Sequence, residues 1–132
     1  MDLRILEIAS HTENNKVLEN YTHKSKNKNP ICGDEMEISL IVKDKVVKDM
    51  GYQCKSCVYC QASVSLLSRK IKEKNVKEVK DFITTGEQLF ENVKVNLEKH
   101  WKDFKEILNE KNLARKECLL LPLKTILKAL KI

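Results

Sequence analysis

Met36-Glu37-Ile38-Ser39-Leu40-Ile41-Val42-Lys43 changes side-chain character with a period of two. In an extended chain this puts Met36, Ile38, Leu40 and Val42 on one face and Glu37, Ser39, Ile41 and Lys43 on the other, the pattern of a half-buried β-strand. Lys45 to Tyr52 reads as a second strand, with the polar pair Lys43-Asp44 as the expected turn between them. The two make an antiparallel hairpin. Gly51 is expected to mark a bulge or the end of the second strand.

On both sides of the hairpin the period becomes helical or is lost. Upstream, Leu3, Ile5, Leu6, Ile8 and Ala9 fit a short amphipathic helix over residues 3–9, and a second helical segment is expected around Val17, Leu18 and Tyr21. Residues 22–29 contain no aliphatic side chain and read as an exposed loop, after which Pro30 biases Asn29 towards extended backbone. Downstream, Ala62, Leu66, Leu67 and Ile71 share one helical face, in a helix that begins near Cys57 or Cys60. Val76, Val79, Phe82 and Ile83 suggest another, ending near Thr84-Thr85-Gly86. The spacing of Phe90, Val93, Leu97, Trp101, Phe104 and Leu108 predicts one long helix. A last helix carries Leu119 to Leu130 and should start close to Cys118, so that Pro122 falls in its first turn. The expected fold class is α+β: a small antiparallel β-sheet, at least a hairpin, packed against several α-helices, with residues 1–132 forming one domain.

Composition narrows the function classes. No apolar run approaches the roughly 20 residues that span a bilayer, and Met1-Asp2-Leu3-Arg4-Ile5-Leu6-Glu7 does not have the form of a signal peptide. The expectation is a cytoplasmic chain without a membrane partner, whose thiols are kept reduced. Five cysteines there point to metal or sulfur chemistry, and the odd count fits a disulfide framework poorly. The net charge of +6 comes from 25 basic residues spread among 19 acidic ones, and aromatics make up only 5%. That is a solvated lysine-rich surface with few stacking platforms for bases, which argues against nucleic acid as a partner.

The cysteines fall in three places: Asn29-Pro30-Ile31-Cys32-Gly33-Asp34, Cys54-Lys55-Ser56-Cys57-Val58-Tyr59-Cys60, and Arg115-Lys116-Glu117-Cys118. Cys32 precedes a strand, Cys57 precedes a helix and Cys118 stands at a helix start. Element ends let side chains converge, and a helix N-terminus favours the thiolate that metal binding and nucleophilicity both need. Cys32, Cys57 and Cys118 with Asp34 would make a tetrahedral set of three sulfurs and one exchangeable oxygen. Taken singly, each cysteine reads better as a small buried hydrophobe; that reading weakens for Cys32-Gly33-Asp34 and Cys54-x-x-Cys57 together, since each lies among polar residues at the end of an element. Cys54-x-x-Cys57-x-x-Cys60 has the spacing of part of a ferredoxin cluster motif, but no Cys-Pro follows. His11, His23 and His100 read as surface or structural, and Ser63, Ser65 and Ser68 as capping or packing residues. Arg115 could orient a carboxylate or stabilise the Cys118 thiolate.

Together these residues resemble the U-type iron–sulfur cluster assembly scaffolds, the IscU, SufU and NifU N-terminal family. The resemblance rests on Asn29-Pro30-x-Cys32-Gly33-Asp34, on Cys57 with Ala62-Ser63-x-Ser65, and on Arg115-x-x-Cys118, in that order. It implies a scaffold in which Cys32, Asp34, Cys57 and Cys118 surround zinc or a nascent [2Fe–2S] cluster. It also implies a pyridoxal-phosphate cysteine desulfurase that passes persulfide sulfur to Cys32 or Cys118, and recipient apo iron–sulfur proteins. The long separation of Cys57 from Cys118 is similar to the SufU branch, where the alternative activity is a zinc-dependent sulfurtransferase. A third possibility is an electron-transfer or metal-storage protein using Cys54, Cys57 and Cys60. The chain differs from the family pattern at Ser56 and Val58, which replace glycines, at Cys60, which replaces a small residue, and at Glu117, which replaces His or Lys. A carboxylate at Glu117 would raise the Cys118 thiol pKa by repulsion, or else add a ligand.

Overall fold

The computed structural model describes residues 3–30, 33–91 and 97–131. Its centre is the hairpin of β2 (Glu35–Lys43) and β3 (Val46–Lys55). Met36, Ile38, Leu40, Met50 and Tyr52 are buried. The turn lies one residue later than the polar pair Lys43-Asp44. Lys43 pairs with Val46, while Asp44 and Lys45 take positive φ of 53° and 65°. A two-residue loop of left-handed backbone matches the twist of its strands.

The register shift lies between Ile41 and Val42, not at Gly51. Gly51 is inside β3 for another reason. A β-carbon there would collide with the Lys16 carbonyl oxygen and press on the Leu18 and Ser39 side chains at 3.2 Å. The chain around Lys16–Leu18 crosses this face of the sheet, and the Leu18 N–H donates to Ser39 Oγ at 3.2 Å. This segment is turn and coil, not the helix expected around Val17, Leu18 and Tyr21. Backbone contact with the sheet takes the place of helical bonds.

Residues 22–29 also differ from expectation. His23–Lys28 form β1, which pairs antiparallel with β2 along its whole length. An edge strand needs backbone pairing more than side-chain burial, so an all-polar sequence suffices. Lys24 and Lys26 reach Glu37 across the ladder at 3.0 and 3.3 Å. The Lys24 hydrogen bond holds the Glu37 carboxyl below its usual range. A short β4 (Lys74–Asn75) completes a sheet of order β1-β2-β3-β4.

Helices cover the sheet: α1 (Leu3–Ala9), α2 (Val58–Lys70), α3 (Val76–Gly86) and α4 (Lys116–Leu130). The α+β expectation therefore holds. α2 is buried nearly all round, and its serines meet their hydrogen-bond needs internally. Ser63 Oγ donates to the Leu119 carbonyl at 2.6 Å, Ser65 Oγ to that of His11 at 2.6 Å and Ser68 Oγ to that of Ser65 at 2.7 Å. The expected long helix through Phe90–Leu108 is replaced by 3₁₀ segments, Glu87–Phe90 and Lys99–Glu106; Val93 lies outside the described residues. Trp101, Phe104 and Ile107 are buried three apart, a spacing that suits a 3₁₀ turn as well as an α-helix. Trp101 stacks on Phe82 with ring centroids 4.3 Å apart.

Pro122 is the seventh residue of α4 rather than part of its first turn. It removes the N–H that would bond the Cys118 carbonyl. Burial of Leu119, Leu120, Leu121, Leu123 and Ile126 against the rest of the core outweighs that loss. Among the described residues no helix is long and apolar enough to cross a membrane.

Replacing Gly51 by Ala should displace the Lys16 segment and destabilise the fold by about 2 kcal/mol. Urea unfolding checks this as a lower midpoint at unchanged m-value.

Candidate functional site

Asp34, Cys57 and Cys118 come from three distant parts of the chain and meet at one end of the sheet. Asp34 immediately precedes β2. Its approach is fixed by two backbone bonds: Asn29 N–H to the Asp34 carbonyl and Gly33 N–H to the Asn29 carbonyl, both 2.8 Å. Gly33 takes a φ of 78°, left-handed backbone that suits glycine. Cys57 is the N-cap residue of α2, and its carbonyl accepts the Gln61 N–H at 3.0 Å. Cys118 lies in the first turn of α4.

One ligand atom from each of these three residues lies within 4.8 Å of the others. Tetrahedral coordination by thiolates needs sulfurs about 3.8 Å apart, so small side-chain rotations would close the set. Asp34 is 7% exposed and Cys118 is 6% exposed, while Cys57 is half-buried. Asp34 Oδ1 accepts the Cys57 backbone N–H at 3.2 Å. Asp34 Oδ2 is buried with no hydrogen-bond partner among the described residues. A buried carboxylate oxygen without a donor is costly unless something positive meets it. A cation bound by the neighbouring sulfurs would supply that charge, so the donor set fits a soft or borderline metal ion.

Of the other expected site residues, Cys32 lies outside the described residues. Glu117 turns outward along α4 and pairs with Lys124 at 3.2 Å. Cys54 is the penultimate residue of β3, opposite Met36, and Cys60 is fully buried in the first turn of α2. Neither sulfur joins the described cluster within 4.8 Å. Burial pushes both thiols above the usual cysteine range, Cys60 far above it, and nearby Asp34 adds to the rise. The Ser56 hydroxyl lies towards both sulfurs and opposes the shift, although it makes no well-formed hydrogen bond among the described residues. Arg115 lies over the Tyr59 ring, 5.3 Å from its centroid, at the mouth between α2 and α4. Tyr59 has no signal of its own in the sequence.

Sequence reasoning also missed a second group, Glu78, Glu98 and His100. The His100 ring nitrogens stand 3.6 Å from Glu78 and 3.8 Å from Glu98. Nothing in the spacing of these residues joins α3 to the 3₁₀ segment; only folding does.

Residues 2–118 match the family model for the NifU-like N-terminal domain. The chain is 34% identical over 129 residues to the iron–sulfur cluster assembly scaffold protein IscU of Thermotoga maritima, covering 96% of this chain and 89% of that protein. Its fold is similar to the crystal structure of a protein described as an iron–sulfur cluster assembly scaffold for the SUF system, from Fervidobacterium islandicum AW-1. That match has a TM-score of 0.91 at 23% identity and covers 99% and 96% of the two chains. It is also similar to the N-terminal part of a nitrogen-fixing NifU-like protein from Brucella abortus, with a TM-score of 0.89 at 22% identity over 98% and 91% of the two chains.

Burial of Cys60 makes a direct kinetic prediction. At pH 8 iodoacetamide should alkylate Cys60 at least about tenfold more slowly than an unburied thiol, with acceleration only at strongly alkaline pH. Peptide mass spectrometry over a time course checks it.

Proposed function

The chain belongs to the NifU-like N-terminal domain family, and from that membership we propose that it is an iron–sulfur cluster assembly scaffold. It would receive sulfur from a pyridoxal-phosphate cysteine desulfurase and hold a metal ion or nascent [2Fe–2S] cluster, its cargo, for transfer to recipient apo-proteins. The observation that carries this reading is the convergence of Asp34, Cys57 and Cys118 within 4.8 Å, with Asp34 Oδ2 buried and without a hydrogen-bond partner among the described residues. Cys32 is proposed as the further sulfur ligand, from its place in the Cys32-Gly33-Asp34 motif.

The residues divide the work by their chemistry. Thiolates of Cys57 and Cys118, at the starts of two helices, bind soft metal ions strongly. The Asp34 carboxylate is a harder donor and exchanges more readily, which gives a cargo site one releasable contact. Arg115, held on Tyr59 beside the site, adds positive charge near an anionic cluster. Cys32 and Cys118 are the proposed persulfide acceptors. Thiols of this kind remain reduced in a cytoplasmic setting, the proposed location.

The long separation of Cys57 from Cys118 supports a second reading, a SufU-type zinc-dependent sulfurtransferase, in which stoichiometric zinc replaces the cluster. Elemental analysis and the absorption spectrum of protein purified without oxygen decide between them. Visible sulfur-to-iron bands favour the scaffold, and zinc with stimulation of a desulfurase favours the alternative.

For either reading, Cys57→Ser and Cys118→Ser should each weaken metal binding by at least about tenfold, whereas Cys54→Ser and Cys60→Ser should retain it. Competitive titration against a zinc chelator measures the difference. Metal lost from Cys54→Ser and Cys60→Ser but kept by Cys118→Ser would favour a Cys54/Cys57/Cys60 electron-transfer or storage centre instead.

A further inference from the structure

Cys57 belongs to the candidate metal cluster and Cys60 does not, yet the two form a pair of their own. Cys57 is a half-buried N-cap residue; Cys60 is fully buried one turn into the same helix. The Gln61 N–H bond to the Cys57 carbonyl shows that the backbone across the pair is already wound. Residues three apart at a helix start share a face, and their Cα atoms stand about 5–6 Å apart, within the span of a disulfide. An accessible cysteine at a helix N-terminus, followed after two residues by a buried one, is the general form of a redox-active Cys-x-x-Cys pair.

We propose that Cys60 is a resolving thiol, which attacks a persulfide carried on Cys57 and releases inorganic sulfide. The inference rests on the sulfur-accepting function proposed above. If Cys118 is the first acceptor, the Cys57 thiolate, whose sulfur lies within 4.8 Å of the Cys118 sulfur, attacks the outer sulfur of that persulfide. The bond from that sulfur to Cys118 breaks, and Cys118 leaves as a thiolate. Cys60 then gives up its proton and attacks Cys57 Sγ. The Cys57–Cys60 disulfide forms, and the bond from Cys57 Sγ to the outer sulfur breaks. The electron pair leaves with hydrosulfide, which takes the proton. The sulfane sulfur gains two electrons and two thiols lose them, so this step needs no other redox partner. An external dithiol returns the pair to its reduced form by exchange.

The test uses the full chain, metal-free and reduced. Wild type, Cys60→Ser, Cys60→Ala (which keeps the buried position apolar) and Cys54→Ser are loaded with inorganic polysulfide without oxygen and desalted. Released sulfide is trapped while alkylated peptides are mapped by mass spectrometry. Trypsin cuts after Lys55 and Arg69, so Cys57 and Cys60 share a peptide that excludes Cys54. Wild type and Cys54→Ser should release about one sulfide for each Cys57 persulfide and yield that peptide two hydrogens lighter. Both Cys60 variants should keep the Cys57 persulfide and release sulfide at least about tenfold more slowly.

Release at the wild-type rate from the Cys60 variants, or a disulfide from Cys57 to any other cysteine, would overturn the proposal. A Cys57 that takes no persulfide in any variant overturns it together with sulfur acceptance at this residue. Metal retention by Cys57 and Cys118 reports on the scaffold itself independently.

Discussion

The candidate centre depends on how closely α2 and α4 approach each other. Ser63 Oγ donates to the Leu119 carbonyl at 2.6 Å, with both residues fully buried. A small side chain at that crossing lets the helices come together, and the bond leaves its hydroxyl satisfied in a place water does not reach. Cys118 is the neighbour of Leu119 in the chain, and Cys57 begins the helix that carries Ser63. The contact that locks the helix pair therefore also fixes the distance between the two sulfurs.

The hairpin supplies the third group. Glu35 pairs with Lys55 at the end of the β2–β3 ladder, so the residues just outside that pair, Asp34 and the Ser56-Cys57 link, leave the sheet side by side. The Asp34 Oδ1 bond to the Cys57 N–H ties them together. With no donor to Oδ2 among the described residues, the geometry costs on the order of 1–3 kcal/mol, and the core of β2, β3, α2 and α4 holds it against that cost.

The departures from the family pattern also find a physical setting. Neither Ser56 nor Val58 takes a positive φ, and Val58 is the first residue of α2, so neither position calls on the conformational freedom of glycine. Glu117 does not compete for the site, because Lys124 draws its carboxylate outward. Cys60 occupies a core position, where a thiol packs as a small hydrophobe while remaining one helical turn from Cys57.

The sequence by itself determined the hairpin and the helices that carry Ala62 to Leu67, Val76 to Ile83 and Leu119 to Leu130, because each is written in local spacing. The period of two from Met36 to Val42, the helical face of Val76 to Ile83, and the pairing of cysteines with element ends all act over a few residues. Local spacing could not separate an α-helix from the 3₁₀ segments around Trp101 and Phe104, since burial every third residue serves both. Nor could it find β1, whose polar residues are extended only because β2 offers a ladder, or explain Gly51, whose missing side chain makes room for Lys16. The meeting of Asp34, Cys57 and Cys118 was likewise decided by tertiary structure. Distances between residues so far apart in the chain are set by helix packing and strand register, which arise only when the whole core closes.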